Sequence, residues 1–173
     1  MLAGGWLLHG WQSGGVGQAG KRGSSAIAIT VLVALAALTW RQTEVWRDSE
    51  RLWRHAVAII RESDVAQNNL GTALYEKGKD EEAIEPLQKA LEIDPDNAHY
   101  RSNLVKVLVG LGRDRAERGE LDEAVGYFGR ALKVDDSYAE AHESLGRALA
   151  QQGKKEEAAQ HYQEALRLLR SGR

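Results

Sequence analysis

The sequence predicts an all-α protein, a right-handed α-solenoid of about three and a half helix-turn-helix units preceded by a hydrophobic helix. One pattern of small and large residues recurs through residues 64–172, stepping by 34 residues between its last two copies and by 41 between its first two. Only two prolines occur, and the helix-forming residues Ala, Leu, Glu, Lys and Arg are abundant. An uncharged run, residues 24–40, comes before the repeats.

The recurring positions explain how each unit folds. A Gly in the first helix and Ala in the second are small enough to let two antiparallel helices cross about 8–10 Å apart. A later Gly ends the first helix in a left-handed cap, and a large residue between the Ala positions fills the seam. In this order, the residues are Gly71, Gly112 and Gly146; Ala83, Ala124 and Ala158; Gly78, Gly119 and Gly153; Leu87, Phe128 and Tyr162.

This pattern resembles the tetratricopeptide repeat, a helix-turn-helix unit of 34 residues. The resemblance implies three stacked repeats, at residues 64–97, 98–138 and 139–172. A half copy precedes them, because Ser49, Trp53 and Ala56 repeat the small, large, small order of the second helix. We therefore predict that residues 42–63 contain a single helix, from about 42 to 62, that caps the first repeat.

The second repeat contains seven extra residues, which equal two helical turns. No helix breaker occurs in this stretch before Gly119. The sequence therefore predicts one long helix from Ala98 to Arg118 that projects two turns beyond its neighbours. Such a projection would carry Arg113, Arg115 and Arg118 into solvent.

The N-terminal part of the chain predicts a membrane segment. Residues 1–23 form a Gly-rich segment that ends near Lys21 and Arg22, and residues 24–41 have the length and composition of a short transmembrane helix. Trp40 lies where interfacial aromatic residues are common. A secretory signal peptide with cleavage near residues 34–36 and a buried soluble helix are the alternatives.

The junction between this segment and the repeats carries a second resemblance. The motif from Trp46 to Ala56 is similar to that of C-type glycosyltransferases, including transmembrane O-mannosyltransferases whose repeats face away from the cytosol. Catalysis in that class is attributed to acidic residues in early membrane loops, and residues 1–43 contain no acid. The resemblance implies an extracytoplasmic repeat domain, although counting basic residues alone predicts the opposite orientation. It also raises the alternative that the chain is the C-terminal fragment of a membrane glycosyltransferase whose repeats present protein substrate.

Composition excludes several chemistries. Residues 44–173 carry a net charge of −5, a poor match for nucleic acid. The chain has no cysteine, and its five histidines form no His-Glu-x-x-His motif. His142 and His161 belong to the interhelical packing surface. We therefore expect no catalytic residue, no cofactor and no metal, and the sequence predicts a non-catalytic scaffold for a protein or peptide partner.

The resemblance implies which residues would meet that partner. In this repeat class the first helices line a concave groove, and fixed positions of each first helix point into it. Lys79, in the turn after the first of these helices, is interpreted as an ordinary exposed residue. The predicted groove residues are Val65, Asn68, Asn69, Thr72, Tyr75, Glu76, Ser102, Lys106, Val109, Glu143, Arg147 and Ala150.

The last helix has an apolar face that no later helix in the sequence covers. Ala158, Tyr162, Ala165 and Leu169 fall on one stripe, and Leu166 widens it. Solenoids usually end in a polar capping helix. We therefore expect the chain to continue beyond residue 173, to be closed by a partner, or to self-associate or fray at this end.

Overall fold

The computed structural model describes residues 48–171 together with Leu35. The chain divides into two compact units, residues 1–44 and 45–173, and the helices described below belong to the second. Helices are the only regular elements among the described residues, and the prediction of an all-α solenoid is confirmed. The helices are α1 (Ser49–Ile59), α2 (Asp64–Glu76), α3 (Asp80–Ile93), α4 (Ala98–Glu117), α5 (Leu121–Val134), α6 (Ala139–Gln151) and α7 (Lys155–Ser171).

The helices pair as the repeat pattern predicts. The first helices α2, α4 and α6 each pack against the second helix that follows them, and α3 and α5 also pack against the next first helix. Helix α1 packs on α2. Its 11 residues lie within the predicted capping helix but begin only after Asp48, whose side chain accepts a hydrogen bond from the Glu50 amide.

Glycine ends each of the three first helices. Gly78, Gly119 and Gly153 have φ values of 70°, 80° and 81°. Residues other than Gly rarely adopt this left-handed backbone, because their Cβ atom crowds the following carbonyl. The predicted left-handed caps are therefore confirmed.

Close helix crossings account for a second set of glycines. A Cβ atom built on Gly71 would lie 2.5 Å from Leu87, and one on Gly112 would lie 2.5 Å from the Phe128 ring. At Gly146 the nearest atom would belong to Tyr162, at 3.0 Å. Each pair joins the first and second helix of one repeat.

The seven extra residues give α4 two registers. Toward α2 it is aligned by its N-terminal half, where the Asn103 side chain donates to Asn68 at 2.8 Å. Toward α5 it is aligned by its C-terminal half, where Gly112 crosses Phe128. Because seven residues make about two turns, both registers use nearly the same helix face, and the two contact regions are offset along the axis of α4 by about 10 Å.

The prediction that Arg113, Arg115 and Arg118 reach solvent is correct for Arg113 and Arg118 but wrong for Arg115. Arg115 is mostly covered and pairs with Glu81, Glu120 and Glu123 at 2.5, 3.1 and 3.0 Å. Arg113 remains exposed and pairs with Glu140 at 2.9 Å. Arg118 is exposed and makes no ion pair within the described part of the chain. Glu81 is in the first turn of α3, Glu120 precedes α5 and Glu123 is in its first turn, so Arg115 joins the end of α4 to the beginnings of both helices.

A buried carboxylate ties α1 to the first repeat. Glu50 accepts hydrogen bonds from Arg54 and Lys79, each at 2.9 Å, and from Lys77 at 3.1 Å. Hydrogen bonds from these three cations, led by Lys79, lower the pKa of Glu50 to about 2. Lys79 is therefore not the ordinary exposed residue that the sequence predicts. We call Glu50, Arg54, Lys77 and Lys79 the α1 clamp.

The described residues include no helix that is both long and apolar enough to cross a membrane. The predicted segments 1–23 and 24–41, apart from Leu35, lie outside these residues.

Candidate partner-binding groove

The first helices α2, α4 and α6 lie side by side, joined by polar contacts. Between α2 and α4, the Tyr100 hydroxyl donates to Asp64 at 2.9 Å, and Asn103 bonds to Asn68. Between α4 and α6, Arg113 donates to Glu140 at 2.9 Å. These helices carry all twelve residues predicted to line the groove.

Most of the predicted groove residues are accessible. Asn69, Thr72 and Ser102 are half-buried, and the Thr72 hydroxyl donates to the Asn68 carbonyl of its own helix at 2.9 Å. The exposed members are Val65, Tyr75, Glu76, Lys106, Glu143, Arg147 and Ala150.

Two of the predicted residues are buried and do not offer side chains to a partner. Val109 is 1% exposed and belongs to the hydrophobic core, because α4 is the middle first helix and has neighbours on both sides. Asn68 is also buried, and its side chain bonds to Asn69 and Asn103. Both predictions are corrected: these residues stabilise the groove from within.

A pocket of about 180 Å³ lies between the C-terminal half of α4 and α6. Phe128 and Ala148 contribute apolar lining and are both buried. The groove prediction missed Arg113, Ala116 and Glu117 because it counted α4 from Ala98, whereas counting back from Ala124 gives the register that faces α6. The lining residues are Arg113, Ala116, Glu117, Phe128, Ser144, Arg147, Ala148 and Gln151.

Two arginines supply the positive charge of this pocket. Arg113 pairs with Glu140, and Arg147 pairs with Glu143 of its own helix at 2.7 Å. All four side chains are about half exposed, so water and ions weaken both pairs. A carboxylate on a bound partner can therefore replace either glutamate at little cost.

Two tyrosines, Tyr75 and Tyr138, lie close to the part of α4 that carries Arg113. Tyr75 approaches Gly110, and a Cβ atom built there would lie 3.7 Å from the tyrosine hydroxyl. Tyr138 precedes α6, and its hydroxyl lies 3.5 Å from Glu140. Burial, and then the charge of Glu140, raise the pKa of Tyr138, so its hydroxyl stays protonated near neutral pH.

His142 and His161 pack against each other at the interface of α6 and α7, as their repeat positions predict. Their Nδ1 atoms are 3.0 Å apart, and Nε2 of His142 lies 3.0 Å from the Asp136 carbonyl. A carbonyl only accepts, so Nε2 of His142 donates to it and Nδ1 of neutral His142 accepts from His161. The described residues contain no group of three or more His, Cys, Asp or Glu side chains that could hold a metal ion.

Two family models match the repeats. The model described as "TPR repeat" matches residues 71–112, and the model described as "Tetratricopeptide repeat" matches residues 109–172. The chain contains tetratricopeptide repeats. Stacked repeats of this class (TPRs) form extended concave surfaces on which partners bind.

The curated relatives are larger proteins that share the repeats. The chain is 35% identical over 91 residues to the TPR repeat-containing thioredoxin TTL4 of Arabidopsis thaliana, a match that covers 53% of this chain and 12% of that protein. It is 38% identical over 73 residues to the protein O-mannosyl-transferase Tmtc2 of Drosophila melanogaster, covering 42% of this chain and 8% of that protein. The chain therefore spans only about a tenth of the length of these relatives.

Solved structures of MamA share the fold. The MSR-1 protein has a TM-score of 0.52 and 26% identity over 77% of this chain and 72% of its own. The AMB-1 protein has a TM-score of 0.50 and 27% identity over 69% of this chain and 61% of its own.

Proposed function

We propose that this protein is a membrane-anchored, non-catalytic TPR scaffold that binds a protein or peptide partner in the groove of its first helices. The observation that carries the proposal is the pocket between α4 and α6, because it combines an apolar floor with two weakly held arginines. Residues 24–41 are the proposed membrane anchor, and the repeats would lie on the extracytoplasmic side.

The pocket indicates the chemistry of the partner. An apolar side chain would be buried against Phe128, and a carboxylate close to it would pair with Arg113 or Arg147. Tyr75 and the half-buried polar residues of α2 would contact the rest of an extended peptide or of a partner helix. The proposed ligand is therefore a segment with an acidic residue beside a hydrophobic one.

A photo-crosslinking residue at Tyr75 tests the groove in living cells. We expect it to capture one protein, and we expect Arg147→Glu to reduce that product strongly because this change repels the partner's carboxylate. Lys133→Glu is the matched control, since Lys133 is exposed on α5 and makes no ion pair among the described residues. The same products from a probe at Glu92, an exposed residue of α3, would refute a groove-specific partner.

The membrane anchor is tested separately by Val33→Arg, which puts a charge in the uncharged run. The unaltered chain should remain with the membrane after alkaline extraction, and the variant should be released. N-terminal sequencing distinguishes an anchor from a cleaved signal peptide, since cleavage would leave a chain starting near residue 37. Protease added to sealed spheroplasts should digest the repeats, and full protection would contradict the extracytoplasmic location.

A second candidate function is that of the C-terminal part of a membrane glycosyltransferase, with the TPRs presenting protein substrate. The match to the O-mannosyl-transferase Tmtc2 favours it, together with the motif at residues 46–56. The coding DNA upstream of Met1 provides the test. An open reading frame that adds hydrophobic helices and an acidic first loop would support this candidate, and a stop codon in frame would refute it.

A further inference from the structure

An exposed apolar stripe runs along α7. Tyr162, Leu166 and Leu169 are 36%, 53% and 57% exposed, and Ala159 is exposed as well. These residues have the spacing i, i+3, i+7 and i+10, which places them on one helix face. We call them the α7 stripe. Because α7 is a second helix, the stripe lies outside the groove formed by the first helices.

The same repeat positions are covered elsewhere in the stack. Leu87 and Phe128 correspond to Tyr162 and are 0% and 1% exposed. Leu91 and Leu132 correspond to Leu166, and both pack against the core. A following first helix packs on α3 and on α5, so Tyr162 and Leu166 occupy positions that are covered in the two preceding repeats.

Charged residues beside the stripe indicate what covers it. Glu156, Gln163 and Arg170 are all exposed and follow each other at intervals of seven residues, so they form one line next to the stripe. Neither Glu156 nor Arg170 makes an ion pair within the described residues. This line is acidic at its N-terminal end and basic at its C-terminal end, so it is complementary to itself when reversed.

We propose that α7 pairs in antiparallel orientation with α7 of a second copy of this chain. A two-fold axis near residues 163 and 164 places Tyr162 opposite the partner subunit's Leu166, and Ala159 opposite the partner subunit's Leu169. The same axis brings Glu156 to the partner subunit's Arg170, so the charges select the antiparallel register. A two-fold axis makes each of these contacts twice. The interface is a single pair of helices, so we expect a weak dimer with a Kd on the order of 10 μM.

Sedimentation velocity of the full chain in detergent solution tests the dimer. We expect a monomer–dimer equilibrium, and we expect Leu166→Glu to weaken it at least tenfold by placing a carboxylate in each apolar contact. Leu166 is exposed in the monomer, so this variant should keep its helix content by circular dichroism. A chain that stays monomeric at about 100 μM, or a dimer unaffected by Leu166→Glu, would overturn the proposal.

Charge reversal tests the orientation. Glu156→Arg and Arg170→Glu should each weaken the dimer by about tenfold, since both copies of the rim pair become repulsive. The double variant should recover most of the affinity, although both changes are unfavourable for the helix dipole of the monomer. Recovery therefore reports the contact between subunits. Glu92→Arg and Lys133→Glu are matched controls on α3 and α5, and a double variant no tighter than the single ones would exclude the antiparallel arrangement.

Discussion

The two ends of the repeat stack are built from corresponding helices but are completed differently. Trp53 of α1 and Tyr162 of α7 occupy the same repeat position as Leu87, which is fully buried between two neighbouring helices. Among the described residues, α1 has only the helix after it and α7 only the helix before it. Trp53 is accordingly half-buried, and Tyr162 is 36% exposed.

The difference lies in what compensates for the missing neighbour. At the α1 end, a buried glutamate is held by three cations, and Trp53 and Val57 pack against the core. At the α7 end, the apolar residues of the stripe remain uncovered. The comparison teaches that a residue's burial in a solenoid depends on its neighbouring helices at least as much as on its own type.

The largest expected effect is a loss of stability when a close helix crossing is filled, and it should be greater inside the stack, at Gly112, than in the last repeat, at Gly146. Gly112→Ala should lower the free energy of unfolding by about 2–3 kcal/mol, because its Cβ would lie 2.5 Å from the buried Phe128 ring. Gly146→Ala should cost only about 1 kcal/mol, since its nearest contact, at 3.0 Å, is Tyr162, which can move toward solvent, and the Ala158 carbonyl oxygen lies at 3.2 Å. Urea unfolding, with Lys133→Ala as the surface control, measures both, and equal midpoints for the two glycine variants would contradict the comparison.

Removing the charge of Glu50 should weaken the attachment of α1 to the first repeat. Glu50→Gln removes the charge that accepts from Arg54, Lys77 and Lys79, and we expect a loss of about 2 kcal/mol. Hydrogen exchange should become faster in α1 and remain unchanged in α7. Glu92→Gln is the matched control on an exposed helix position. Unchanged protection of α1 would show that apolar packing alone holds it.

The smallest expected effect is that lowering the pH destabilises α7 but not α1. Burial, and then the neighbouring His142, lower the pKa of His161, whereas Glu157 acts in the opposite direction. A hydrogen bond from Arg167 lowers the pKa of the nearby Glu164 carboxyl, and His142 contributes to the same shift. A lowered folded-state pKa means that the unfolded chain takes up the proton first. This stabilisation is complete above about pH 6.5 and is lost as pH falls through the folded-state value.

When the pH is lowered from 7.5 to 5.5, we therefore expect α7 to lose protection against hydrogen exchange, after correction for the intrinsic exchange rate at each pH, whereas α1 should keep its protection. The pKa of Glu50 is lowered to about 2, so the α1 clamp stays complete above the ordinary carboxyl range near pH 4 and is lost only as pH falls towards 2. His161→Gln should remove the change in α7, because a glutamine side chain does not titrate in this range. A change of equal size in α1 and α7 would contradict the role of the histidine pair.

Sequence reasoning located the repeats better than it located the groove. The crossing glycines and the left-handed caps follow from local sterics, which a repeating pattern reports directly. The burial of Val109 and the pairing of Arg115 depend on which face of α4 meets each neighbour, and the inserted turns make two registers compatible with the sequence. Counting the same helix from Ala124 would have identified Arg113 and Glu117 beside the pocket.

The sequence by itself determined the helical units, their glycine ends and the close crossings, because spacing and residue size act over one or two turns. Only the tertiary structure decided that Lys79 belongs to the α1 clamp and that α4 uses one register toward α2 and another toward α5 and α6. It also decided which part of the predicted apolar face of α7 is uncovered, because Tyr162 and Leu169 are exposed whereas Ala158 and Ala165 are buried. These features depend on contacts between different helices, and the position of a side chain within its own repeat does not specify which groups the neighbouring helices bring to it.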